Sequence, residues 1–404
     1  LLLPETGRRR DERRDEMIIA VLGGMGLQGK AALLDLTRSK KVEKVLCADR
    51  VQEDLGKLSR FIDMGKVEMV EMDASSTRDI VRVLKREVDV AIDLLPIQFM
   101  PLAFDAAIEA RVPLVSTNYA HTLHHLHEPA LAAGIALMPE CGLDPGIDLV
   151  ICGQAAREFD EIHVINSYCG GFPERRACTN PLSYKISWNW DMVLRSHKRA
   201  SVLIKDGQRV TLSADEQHKE EMITNIAFPG LGELEAIPNG DTVAYTDLLG
   251  ITKTVREAGR YALRWPGWSS LIRPLKKLGF LSEEPIDVDG CLVSPHRFMV
   301  KLLEPRLQYL DDEKDLVAML NVFEGVKKGR KASWVSSLLI ERDLETGLLA
   351  MNISVAGPAS IVAQMLGRGE ITKKGLLSPA VDVPYEPFMT ELAHRGIVVR
   401  EEVS

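Results

Sequence analysis

The hydrophobic pattern opens with five consecutive apolar residues, 17–21 (MIIAV), then the glycine-rich run GMGLQG, then an apolar, alanine-rich stretch. Unbroken apolar runs of this length predict a strand buried on both faces, and the sequence of signals predicts strand, tight turn and helix. The rhythm continues. Val45-Leu46-Cys47-Ala48 ends on Asp49, VEMVEMD ends on Asp73, a helical stretch covers 77–87, and VDVAIDLLP ends on Pro96. A helix over 102–110 leads into VPLVSTNY, and a further one into GIALMPECGLDPGID. About six such strands alternating with helices predict an α/β fold, a doubly wound parallel sheet.

From about Asp148 the pattern lengthens. EIHVINSYCGG, DTVAYTDLLGI and the pair DLVAMLNVFEGV and KASWVSSLLIERD, joined through Lys-Lys-Gly-Arg, predict strands and a hairpin. Helices are expected near 267–278 and 295–307. A second α+β domain with a mixed, largely antiparallel sheet follows from this reading. Beyond Gly357 helical periodicity returns, then a helix over 386–394 stopped by Gly396 and a short strand, IVVRE. The organisation expected is 17–147 for the first domain, 148–356 for a substrate and dimerisation domain, and 357–404 for a segment returning to the first. Residues 1–16 (LLLPETGRRRDERRDE) carry dense mixed charge without a secretory h-region and read as a disordered tail or cloning remnant.

Composition narrows this picture modestly. The 404 residues are 46% hydrophobic and 27% charged, with a net charge of −8, which argues against nucleic acid as a main partner. Six scattered cysteines without a C-x-x-C pair suit a reducing, cytoplasmic setting. No apolar run approaches the roughly 18 residues of a membrane span. His121, His124 and His125 share helical spacing, but no further ligand is indicated, so no metal is expected.

The glycine run carries the first candidate chemistry. Gly24-Met25-Gly26-Leu27-Gln28-Gly29 has the G-x-G-x-x-G spacing that turns a chain tightly, brings backbone to a pyrophosphate and seats a helix close on a strand. Phosphates would then meet free N–H groups at the helix start. Asp49, about 20 residues on, stands where a carboxylate accepts from a ribose diol. That pairing predicts a Rossmann dinucleotide site, with NAD favoured because a 2′-phosphate would meet like charge; Arg50 keeps NADP open. Asp73 is a candidate for the adenine edge or a helix-start turn with Ser75 and Ser76. Leu95 and Pro96 would close over the nicotinamide, and Asn118 sits at the next strand end.

Ligands of such sheets bind beyond the carboxyl ends of the strands, so Leu95-Pro96, Thr117-Asn118-Tyr119 and 140–148 should converge on one crevice. Tyr119 is the substrate-side candidate there. Asp144 and Asp148 are the carboxylates at its lip, available for proton transfer or water activation. Asp144 before Pro145-Gly146 is also a natural turn residue, and Asp148 suits a helix's first turn. Lys185 is a candidate base or carboxylate partner, or else a strand-edge residue.

CGLDPGID (141–148), SYCGG (167–171), NPLSYKISW (180–188), PNGDT (238–242), Trp265-Pro266-Gly267 and PASIV (358–362) together resemble the saccharopine dehydrogenase family, over essentially 17–404. The resemblance implies a nicotinamide cofactor taking hydride from a carbon bearing an amine, through an imine that water hydrolyses, with saccharopine or lysine-type substrates of lysine metabolism; lysine 6-dehydrogenases belong to the same group. It also implies substrate contacts at Cys169, Gly170, Asn239 and Asp241, and a homodimer built through the second domain. Glutamate-forming members mostly use NADP and typically carry Arg where Gly240 stands, so this chain lacks that carboxylate clamp. Ile97 replaces their aromatic after the strand-end proline. Both departures point to a smaller or less acidic amine. The alternative is a non-catalytic dinucleotide-binding regulator on the same fold.

Overall fold

The computed structural model describes residues 16–51, 55–120 and 122–404. His121 and all but Glu16 of the expected tail lie outside them. The first half runs β1 (Met17–Leu22), α1 (Leu27–Arg38), β2 (Val42–Asp49), β3 (Val67–Glu71), α2 (Thr77–Leu84), β4 (Val90–Asp93), α3 (Met100–Ala110), β5 (Leu114–Ser116), α4 (His127–Ala133) and β6 (Ala136–Met138). Every residue of β1 is buried, because its alternate side chains enter different cores. Ile19 and Val21 face α1, while Ile18, Ala20 and Leu22 face α2 and α3.

The second half begins with α5 (Ile147–Glu158) and β7 (Glu161–Pro173), followed by α6 (Trp190–Ser196), β8 (Ser201–Lys205), β9 (Gln208–Leu212), β10 (Thr224–Phe228) and β11 (Gly232–Pro238). Next come α7 (Thr242–Leu248), β12 (Glu257–Arg264), α8 (Trp268–Lys277), β13 (Ile286–Val288), β14 (Cys291–Val293), α9 (Pro295–Leu303), β15 (Asp315–Lys327) and β16 (Arg330–Glu341). The closing segment holds α10 (Ala350–Arg368), β17 (Gly375–Leu376), α11 (Pro379–Asp382), α12 (Tyr385–His394) and β18 (Val399–Val403).

The first sheet has seven parallel strands in the order β17-β6-β5-β4-β1-β2-β3. Its seventh strand is supplied by the closing segment. The second follows β10-β11-β12-β7-β15-β16-β18, with β8 on β12 and β9 on β8; only β12 and β7 run parallel. At the β15–β16 turn Lys328 and Gly329 both have positive φ, 52° and 70°, the two-residue geometry that matches strand twist.

Three expectations are corrected. DTVAYTDLLGI is helical over Thr242–Leu248: its β-branched pattern is overridden by Asp241, whose carboxylate accepts from Val243 N at 3.0 Å and Ala244 N at 3.3 Å. The helix expected beyond Gly357 starts at Ala350, where Asp315 of β15 accepts from the Ala350 and Met351 amides at 2.7 and 3.1 Å. The last strand completes the second sheet beside β16, rather than returning to the first domain. The rest of the segment does return. Gln364 accepts from Ser39 at 2.7 Å, and Asp35 of α1 receives Arg395 at 2.7 Å and the Ser360 hydroxyl.

Candidate active site

On the dinucleotide side, close approach explains two glycines. A Cβ at Gly24 would stand 2.5 Å from the Cys47 sulfur, and one at Gly29 would overlap the Gly23 carbonyl, so α1 lies on β1 only with glycine there. Gly26 caps α1 without a side chain, and the first turn holds no acidic residue. Gly26 and Leu27 are exposed and Gln28 half-buried, leaving the helix start open to an anion. Asp49 closes the arrangement: its carboxylate accepts from Met25 N at 3.0 Å and Arg50 N at 2.7 Å, tying β2 to the glycine turn. These residues fit a dinucleotide. Asp73 is spent locally, since one oxygen takes both the amide and the hydroxyl of Ser75, at 2.9 and 2.7 Å. Those bonds, with the Arg50 charge nearby, hold its carboxyl below the usual range. Arg50 and Asp73 share the rim of an open cleft of about 560 Å³ beside β3 and α2.

At the strand ends a buried network fixes the crevice. Asp93 accepts from Leu95 N at 3.1 Å and the Ser116 hydroxyl at 2.8 Å. The Ser116 oxygen accepts from Asn118 N at 3.2 Å, and the Asn118 amide reaches the Leu95 carbonyl at 3.4 Å. Leu95-Pro96 and Asn118 are thereby locked together around Asp93. Burial pushes the Asp93 carboxyl up to about 6.

Opposite them a charged cluster joins the two domains. Arg260 of β12 is buried, lies 4.6 Å from the Tyr245 ring centre, pairs with Asp144, and reaches an Asp148 oxygen at 2.7 Å. The other Asp148 oxygen accepts from Gly146 N at 2.9 Å. Glu140, at the end of β6 with φ 63°, accepts from Tyr245 OH at 3.0 Å and Ala120 N at 3.2 Å. A bulky residue in that left-handed conformation is strained, and such strain concentrates at functional sites. Tyr119 lies in the field of Arg260, Asp148 and Glu140, and burial raises its hydroxyl pKa. Burial pushes Asp148 up to about 7, while the backbone N–H groups of Gly146 and Leu149 pull the other way. Of the two aspartates only Asp144 keeps accessible side-chain surface, 15% against 0%. Asp144 is therefore the one of the two that solvent or a ligand reaches, and Asp148 backs Arg260.

The structure does not gather every expected residue. Lys185 is buried and doubly paired with Glu313, at 2.7 and 2.5 Å, so its ammonium is no free base. Asp241 caps α7 through one oxygen, and its side chain remains 37% exposed. Asn239 N donates to the Arg260 carbonyl at 2.8 Å, placing it behind the cluster. Cys169 is buried in β7 opposite Ala262, and its thiol feels both Asp148 and Arg264. A Cβ at Gly170 would overlap the Leu263 carbonyl, so that glycine serves strand packing. His127 Nδ1 accepts from Leu376 N at 3.2 Å, docking β17. Among the described residues no three His, Cys, Asp or Glu side chains form a metal group. Sequence reasoning missed Tyr245 and Arg260, and placed Glu140 at the crevice without giving it a role. Strand-end position was a usable signal for Glu140; nothing local marks the other two.

A seven-stranded dinucleotide sheet whose strand ends face a charged cluster from a second domain defines a two-domain Rossmann protein of the dehydrogenase type. Residues 19–138 match the family model described as the saccharopine dehydrogenase NADP binding domain, and 142–397 that of the saccharopine dehydrogenase C-terminal domain. The chain belongs to the saccharopine dehydrogenase family. It is 27% identical to a saccharopine dehydrogenase (NADP(+), L-glutamate-forming) of Pyricularia oryzae, over 89% of this chain and 94% of that one. It is 26% identical to the mitochondrial alpha-aminoadipic semialdehyde synthase of Rattus norvegicus, over 93% of this chain and 46% of that protein. The chain thus spans about half the length of that mammalian relative. The apo saccharopine dehydrogenase (L-Glu forming) of Saccharomyces cerevisiae has the same fold, with TM-score 0.81 and 23% identity over 96% of this chain and all of that one. No helix among the described residues is long and apolar enough to cross a membrane.

Proposed function

We propose that the protein is a nicotinamide-dependent dehydrogenase oxidising the C–N bond of an amino-acid-derived amine. The observation that carries this is the set of acceptors gathered beside Arg260. Glu140, Asp144 and Asp148 bring three carboxyl groups together there, and Asp144 keeps accessible surface, so the walls offer acceptor oxygens to a cationic group. A cationic amine or developing iminium meets those oxygens, and preorganised acceptors of this kind act where charge develops. The cofactor, when bound, accepts hydride from the carbon. Asp144 takes the amine proton and then orients the water that opens the imine, because it is the carboxylate with accessible surface. Arg260 keeps Asp144 and Asp148 in place, and the Tyr245–Glu140 pair closes the far wall.

The names of the relatives favour saccharopine and NADP(H). Against NADP(H) stands the Asp49 carboxylate beside the glycine turn, and we take NAD(H) to be preferred. Six free thiols, four of them buried, suit a reducing compartment such as the cytoplasm. The dimer expected from the excess apolar surface of β15 and β16 loses part of its motive, since both faces pack within the chain. A half-buried row, Tyr168, Ile226, Tyr261, Val322 and Val335, still supports one. Light scattering showing a monomer at micromolar concentration would remove the dimer. The test of the reaction is dinucleotide reduction with saccharopine, lysine and other amines; silence with every amine while dinucleotide still binds would leave the non-catalytic regulator.

A further inference from the structure

The second domain holds a cavity of about 250 Å³ lined by neither the glycine turn nor the Asp144–Arg260 cluster; its wall includes His218, Asn225, Ser269, Ser270 and Arg273. Against it stands a chain of three hydrogen-bonded side chains. The Ser269 hydroxyl lies 2.8 Å from His218 Nδ1, and His218 Nε2 lies 2.9 Å from His197 Nδ1. All three residues are buried. They come from separate stretches: His197 follows α6, His218 lies between β9 and β10, and Ser269 is the second residue of α8. His197 is held in place by its ring contact with Trp268, 5.6 Å between centres, and by its carbonyl, which accepts from Lys276 Nζ at 2.6 Å.

A hydroxyl and two neutral imidazoles satisfy one another in a consistent direction: Ser269 O–H donates to His218 Nδ1, His218 Nε2–H donates to His197 Nδ1, and the His197 Nε2–H is left over. His197 Nε2 has no partner among the described residues. In this direction the serine proton points into a base whose tautomer a second group fixes, which is the arrangement nucleophilic catalysis requires. Burial, with the charges of Lys276, Arg264 and Arg273, lowers the His218 pKa to about 4, so the ring is a free base at neutral pH. The start of α8 supplies the remaining part. Glu235 takes the N–H groups of Gly267 and Ser269, at 2.9 and 2.8 Å. Trp268 and Ser270 carry the other first-turn N–H groups, which have no acceptor within the helix. The N–H of the residue after a nucleophilic serine at a helix start is placed for the oxyanion of an attacked carbonyl, and Ser270 has that position beside the cavity.

We propose that Ser269, His218 and His197 form a second reactive centre, a serine acyl-transfer site that takes a small acyl ester in this cavity. In the first step His218 Nδ1 takes the hydroxyl proton as Ser269 Oγ bonds to the acyl carbon; the ester C–O bond breaks and the alcohol leaves with that proton. In the second, water attacks the acyl-serine carbon and gives its proton to His218, which returns it to Ser269 Oγ as the acid leaves. Ser269 and His218 are the catalytic residues. His197 touches no reacting atom and is a positioning residue, its Nδ1 holding His218 in the accepting tautomer. The cavity is smaller than the about 300–1,000 Å³ of drug-sized pockets, which limits the acyl group to a few carbons. The low basicity of His218 makes the transfer slow, so the covalent adduct is the clearest readout.

The whole protein, treated with diisopropyl fluorophosphate or p-nitrophenyl acetate and then digested, tests the site through the mass of the modified peptide. The unmodified protein carries its adduct on Ser269. Ser269→Ala takes up none, with dinucleotide affinity unchanged. His218→Asn keeps an acceptor near the hydroxyl but no base, and labels at least about a hundredfold more slowly, the scale of general-base help. His197→Phe slows labelling about tenfold, the scale of one hydrogen bond, and His197→Asn, whose amide oxygen accepts where Nδ1 did, restores it. A merely structural histidine would instead show its loss in melting temperature, with the labelling rate per folded molecule unchanged. Should a variant not fold, the position of the adduct in the unmodified protein carries the test. No adduct, adducts only on lysines or on other hydroxyls, or Ser269 labelled equally fast in folded His218→Asn overturns the site. The outcome is independent of whether any amine is oxidised.

Discussion

The dinucleotide half and the substrate half of this crevice are built by opposite means. At the glycine turn the ligand-facing surface is backbone, and its requirements are local: no side chain at Gly26, and no room for one at Gly24 or Gly29. Across the crevice the surface is side chains drawn from β6, the loop before α5, α7 and β12, spread over Glu140, Asp144, Asp148, Tyr245 and Arg260. Backbone recognition tolerates almost no substitution but writes itself in adjacent letters. Side-chain recognition leaves no spacing rule, and it holds only while every charge keeps its partner. The first half should therefore fail by geometry and the second by electrostatics.

Removing the shared cation is expected to have the largest effect. Arg260→Met leaves Asp144 and Asp148 facing each other without a counter-charge, and breaking a buried ion pair typically costs about 3–5 kcal/mol. Denaturant unfolding should show that loss, with dinucleotide affinity of the folded fraction unchanged. Asp144→Asn keeps the fold and should lower turnover at least about a hundredfold, the scale of general acid–base help. A fall in stability with an unchanged rate per folded molecule would instead make Asp144 a turn residue only.

On the dinucleotide side, Asp49→Ser should narrow or reverse the preference for NADH over NADPH by about tenfold in dissociation constant, the size of one charge-assisted contact. Fluorescence titration reads it, and equal or tighter NADPH binding by the unmodified protein would break the argument from Asp49. A pH effect concerns Asp93. Its folded pKa, about 6, lies above its ordinary value of 3.8, so the native state holds the extra proton between these values. Stability from this group is thus present at low pH and lost as pH rises from about 4 through 6. Relative to Asp93→Asn, the unmodified protein should lose about 3 kcal/mol across that window and nothing further above it. A flat difference would show that the Ser116 and Leu95 bonds outweigh burial.

The first sheet was legible because each strand is an unbroken apolar run, and its site because Gly24, Gly26, Gly29 and Asp49 obey a spacing that phosphate and ribose geometry impose. Asp144 and Asp148 were legible from strand-end position. The sequence misled where a single cap outweighed a pattern, as Asp241 did in making 242–248 helical. It also misled at Lys185, because no local feature of NPLSYKISW announces Glu313, 128 residues away. Arg260 was silent for the same reason: its partners are 116 and 112 residues earlier, and only strand pairing brings them together.

The closing segment has a consequence for assembly. β17 completes the first sheet and β18 the second, and α10 lies between α1 and β15. As the chain is synthesised, residues 17–341 emerge with both sheets short of an edge strand and with Asp35 lacking Ser360 and Arg395. Open edges are templates for pairing with other chains. Neither half can reach its final state ahead of the other, because one late stretch of about 50 residues finishes both and imposes long sequence separations on each. The two halves of the crevice, so different in how they recognise a ligand, are expected to become competent at the same moment.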